Sequence, residues 1–86
     1  MNNSATTSYG EHSIDGHTFK IVCEYGIHPM DLWTATEINK PDNEKIILTL
    51  NASIYPTIKE ALPMLANRLR EFLIQISINE KNKHQQ

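Results

Sequence analysis

The sequence predicts an α+β fold, a three- or four-stranded antiparallel meander with one C-terminal helix packed on one face. Three observations carry that reading. Thr57–Asn79 is the only long stretch with a helical period. Thr18–Tyr25, Asp31–Asn39 and Lys45–Ala52 alternate apolar and polar residues with a period of two. The connections between them are short and hold Gly, Pro, Asp or Asn, which suits neighbours that run antiparallel.

Met1–Ser8 is polar and aperiodic and is expected to be a disordered tail. Tyr9–Ile14 reads as a short edge strand. Asp15-Gly16 follows it, a strong hairpin signal, because both central residues of a type I′ turn take φ > 0. The glycine would also suit a simple loop before the first long strand, which leaves the count at three or four.

Thr18–Tyr25 places Phe19, Ile21, Cys23 and Tyr25 on one face. Gly26–Met30 is a connection with Gly and Pro. Asp31–Asn39 has Trp33 and Ala35 on one face and Thr34 and Thr36 on the other. Lys40–Glu44 reads as a turn set by Pro41, and Lys45–Ala52 places Ile46, Leu48 and Leu50 together. Setting Ile38 against Lys45 brings Ala35 opposite Leu48, Trp33 opposite Leu50, Thr34 opposite Thr49 and Thr36 opposite Ile47. One face is then apolar and the other mostly threonine, as in a sheet packed on one side and wet on the other.

In the helix, Ile58, Ala61, Leu62, Leu65, Leu69, Phe72, Leu73 and Ile76 fill one apolar stripe. Thr57 and Glu60 form a capping-box pattern. Pro63 lies inside the pattern, where proline removes a backbone hydrogen bond. The stripe passes it without a change of phase, which favours one kinked helix over a break. Met64, Ile74 and Ile78 project away from the stripe and are the candidate interface residues. Glu80–Gln86 is polar and expected to be a second disordered tail, leaving Tyr9–Asn79 as the single domain.

Length and charge narrow the function. A chain of 86 residues buries only about 60–65% of its unfolded surface, so its margin of stability is thin. It holds one cysteine, which excludes an internal disulfide and favours a reducing, cytoplasmic setting. The opening residues lack the basic and apolar regions of a signal peptide, and no apolar run reaches the ~18 residues of a membrane span. Eight basic and ten acidic residues leave no basic footprint for nucleic acid.

No chemical motif stands above background. His12 and His17 share a face across the Asp15-Gly16 turn, but a metal site needs three or four ligands and no third is evident. Cys23 sits on an apolar strand face, where a thiol behaves as a small hydrophobe. Asp31 with Glu37, Asp42 with Glu44, and Glu60 with Glu71 read as solvated surface. No catalytic residue, cofactor or metal ligand is assigned.

One helix is about 10 Å wide against ~15–19 Å of sheet, and about 35 Å long against ~26 Å for an eight-residue strand. Uncovered sheet and an overhanging helix end are therefore expected. The favoured function is a small non-enzymatic intracellular protein-interaction module: an adaptor, an inhibitor or a regulatory subunit. It would pair with itself as a homodimer or bind a larger protein. An accessory protein of a phage or other mobile element fits that description. The alternative is a nucleic-acid-binding regulator using the sheet face or the helix, with Lys59, Arg70 and Lys81 on one helix sector and Lys20 on the sheet. No membrane partner is expected.

Overall fold

Asp15 and Gly16 both take positive φ, 50° and 84°, the backbone a type I′ hairpin requires. They join β1 (Ala5–Ile14) to β2 (His17–Tyr25), so the sheet has four strands. β3 (Leu32–Glu37) and β4 (Ile47–Asn51) complete an antiparallel meander in the order β1-β2-β3-β4. The helix α1 (Ile58–His84) follows. The computed structural model describes residues 5–26 and 31–84, with side chains through Lys81. The expected connection Gly26–Met30 therefore lies mostly outside the described residues, as do the ends of both expected tails.

The β3–β4 register is the expected one: Trp33 faces Leu50, Thr34 faces Thr49, Ala35 faces Leu48 and Thr36 faces Ile47. Their turn holds a short 3-10 segment, Asp42–Glu44, entered from Pro41 at φ −60°. Phe19, Ile21, Cys23, Trp33 and Ala35 have no exposed surface, and neither do Ala61, Leu65 and Leu69 of α1. These side chains form the core between the sheet and the helix.

Two tail boundaries differ from expectation. Ala5–Ser8 is strand, paired with Val22–Tyr25, because β2 is long enough to offer backbone partners beyond Tyr9. Glu80–His84 continues the helix, since nothing after Pro63 breaks it and Lys, Glu and Asn tolerate helical backbone. The helix passes Pro63 without interruption, and Pro63 is exposed on it. At the other end the Thr57 hydroxyl accepts the Glu60 N–H at 3.2 Å, which is half of the expected capping box.

The sheet margin far from the helix is not bare apolar surface as expected. Between Ser8 and Glu11 the pairing slips, with Tyr9 and Gly10 together opposite Ile21. Gly10 takes φ +77° at this bulge. The extra residue shifts the side-chain alternation by one. Tyr9 before it, and His12 and Ile14 after it, consequently all face the core. Tyr9 packs on Trp33 with ring centroids 5.0 Å apart. β1 thus closes the side that α1 leaves open, and α1 lies nearest β4.

Candidate functional site

Buried groups with chemical potential are already engaged. Glu37, expected on the surface, is only 2% exposed, because its position on β3 alternates with Trp33 and Ala35 on the core face. His17 Nδ1–H donates to its Oε2 at 2.7 Å, and the Ile46 N–H donates to Oε1 at 3.3 Å. Burial pushes the Glu37 carboxyl up. The hydrogen bonds from His17 and Ile46, with the charges of His17 and Lys40, outweigh that and hold it below the usual carboxylate value. Asp31 sits at the opposite end of β3, where its Oδ1 accepts the Gly26 N–H at 3.0 Å.

Cys23 is fully buried. Burial is the largest influence on its thiol; the Tyr25 hydroxyl opposes it, Asp31 and Glu24 reinforce it, and the net shift is upward. A thiol held protonated is a poor nucleophile. His12 does face the same side as His17, but its Nε2–H donates to the Tyr9 carbonyl at 2.9 Å. Among the described residues no group of three His, Cys, Asp or Glu side chains is placed to share a metal. Trp33 is a core residue whose Nε1–H donates to the Tyr55 carbonyl at 2.6 Å, which ties β3 to the loop leading into α1.

The helix end is the first open surface. α1 spans 27 residues, or about 40 Å. Its last fully buried side chain is Leu69, and Leu73 is the last that packs partly on the core. Beyond Leu73 the helix projects past the sheet, consistent with a molecule 53 Å long and 25 Å across. Phe72 and Ile76 continue the core-facing stripe at 41% and 39% exposed, Phe72 beside β4 and Ile76 past Leu73. Ile74 and Ile78 stand on the other side, at 57% and 44% exposed. Met64 is placed differently from these two: it is half-buried against the core rim. It still lines a shallow groove with Asn67, Arg68, Arg70, Glu71 and Ile74. Of the candidate interface residues, Ile74 and Ile78 therefore form the projecting part and Met64 its root.

The second open surface is the free edge of β4. The Glu37 N–H donates to the Ile46 carbonyl and the Ala52 N–H to the Asp31 carbonyl, both at 2.9 Å. With antiparallel alternation, Leu48 and Leu50 also turn their backbone groups to β3, while Ile47, Thr49 and Asn51 turn theirs outward, where the Asn51 carbonyl accepts the Tyr55 N–H at 3.2 Å. A groove follows this edge, lined by those residues and by Arg68 and Phe72 of α1. Sequence patterning did not mark it; the strand order is what exposes it.

Two of the basic residues considered for a nucleic-acid surface lie against acidic ones. Arg70 Nε lies 3.2 Å from Asp15 Oδ2, which ties the helix to the β1–β2 turn. Lys20 faces Glu11 across β1 and β2.

No family model, no curated protein and no solved structure matches the chain.

Proposed function

We propose that the chain is a non-enzymatic protein-interaction module, an adaptor, inhibitor or regulatory subunit, whose projecting helix end seats on a protein partner. One observation carries the reading. Ile74, Ile76 and Ile78 are exposed together on a helix end that lies beyond Leu73, the last residue packed on the core, with Phe72 partly exposed at its root. Exposed apolar clusters of this kind mark interaction sites, whereas scattered single residues do not. The segment presents anchors at i, i+2, i+4 and i+6, so both sides of the helix are apolar and a groove or a helix pair would suit it. The engaged state of Glu37, His17 and Cys23 supports the non-enzymatic part. The pairing of Arg70 with Asp15 and the Lys20–Glu11 facing lend nothing to a nucleic-acid reading.

The test is the variant Ile74→Lys with Ile78→Lys. The reading expects an unchanged circular dichroism melt and loss of a protein retained by the wild-type chain. A variant that retains the same partners with the same affinity would overturn it.

A further inference from the structure

The two edges of the sheet are treated differently. β1 is interrupted by the Tyr9-Gly10 bulge, and its middle carries Glu11. Bulges and edge charges are the usual devices that stop a sheet from adding strands. β4 has neither. Its five residues, Ile47-Leu48-Thr49-Leu50-Asn51, hold no charge, proline or glycine. Ile47 is 61% exposed on it.

We propose that β4 pairs antiparallel with β4 of a second copy of this chain, about a two-fold axis at Thr49, to give a continuous eight-stranded sheet. The strand is complementary to itself in this register. Thr49 meets Thr49 of the copy as a hydrogen-bonded pair, because its N–H and C=O point to the open edge. Ile47 meets the copy's Asn51, whose N–H points outward and whose carbonyl already accepts the Tyr55 N–H at 3.2 Å. Leu48 meets the copy's Leu50 on the core side.

The helix supplies an independent match. The groove along β4 is lined by Leu32, by Ile47 to Asn51, and by Arg68 and Phe72 of α1. In the proposed dimer the two helices run antiparallel across the axis, and we place Arg68 of each beside Glu71 of the other. Arg68 and Glu71 are both exposed, share the groove beside Met64, and make no ion pair among the described residues. Reciprocal opposite charges of this kind fix register and favour self-pairing over other partners. A second copy thus answers both the unpaired backbone and the unpaired charges. Pairing through β4 leaves Ile74 and Ile78 free, so the dimer carries two projecting helix ends. Its biological use rests on the interaction-module reading; the pairing itself does not.

The experiment is solution mass by light scattering on the full chain at two concentrations, with three variants. Wild type is expected at twice the 9.9 kDa chain mass. Thr49→Pro removes an N–H that points away from β3, a place where an edge strand accepts proline, so it is expected to stay folded and run as a monomer. Arg68→Glu is expected to weaken the dimer about tenfold, and Arg68→Glu with Glu71→Arg to restore it. This charge pair decides the matter if Thr49→Pro fails to fold. Ile74→Lys with Ile78→Lys is expected to remain dimeric. A wild-type monomer overturns the β4 pairing and leaves the helix-end reading intact. A dimer indifferent to the β4 and charge variants but broken by the isoleucine pair also overturns it, and moves self-association to the helix end.

Discussion

His17 and Glu37 meet across β2 and β3 at 2.7 Å, and the carboxylate is almost fully buried. This pair seals the end of the core where β1 turns into β2. It is a structural tie with a pH signature. Because the folded carboxyl lies below its usual value, its contribution is fully present above about pH 4.3, the ordinary glutamate value. It is lost as pH falls through the lower folded value. Urea midpoints measured from pH 7 to pH 3 are expected to drop over that acid range. Glu37→Gln is expected to flatten the drop and to cost roughly 1–3 kcal/mol at pH 7.

Trp33 has two restraints, the Tyr55 carbonyl and the Tyr9 ring. Trp33→Ala is expected to cost about 3–5 kcal/mol, a large share of the ~5–15 kcal/mol that stabilises a typical domain. Trp33→Phe keeps much of the packing and leaves the carbonyl without its donor. It is expected to cost less, which denaturation followed by far-ultraviolet circular dichroism would show.

Gly10 separates conformational cost from steric cost. A Cβ at this position meets nothing within 4 Å, yet φ is +77°. Gly10→Ala is therefore expected to cost about 1–2 kcal/mol through backbone strain alone. In a domain of this size that lowers Tm by about 4–8 °C per kcal/mol. An unchanged Tm would mean that the bulge relaxes and that Tyr9 need not sit on Trp33.

The Arg70–Asp15 pair is roughly half exposed on both sides. Exposed pairs contribute about 0–1 kcal/mol. A double-mutant cycle with Arg70→Ala and Asp15→Ala is expected to give a coupling in that range, and to shrink it in 0.5 M salt.

Much of this fold was legible in the sequence because the alternation is clean. The Trp33–Leu50 and Ala35–Leu48 pairs follow from threonines filling the other face, and the Asp15-Gly16 hairpin follows from its demand for positive φ. The Tyr9-Gly10 bulge was not legible, since one inserted residue in a polar strand leaves no periodic trace. Its consequence, a core covered by Tyr9 instead of left bare, was hidden with it. Glu37 was missed because a charged residue is nearly always exposed unless paired, and its partner His17 lies two strands' ends away in sequence. The overhang was legible from length alone. The open β4 edge follows from the meander order, which was legible, and no residue pattern marks it.

The most direct test of the interaction-module account places a photo-crosslinking amino acid at Ile78, with Lys20 on the outer sheet face as the control position. In a cell lysate, the account predicts discrete higher-mass adducts from position 78 that are absent from position 20 and that disappear when Ile74 is replaced by Lys. Adducts from both positions alike, or none from position 78, would contradict the claim that the projecting helix end is where this protein meets its partner.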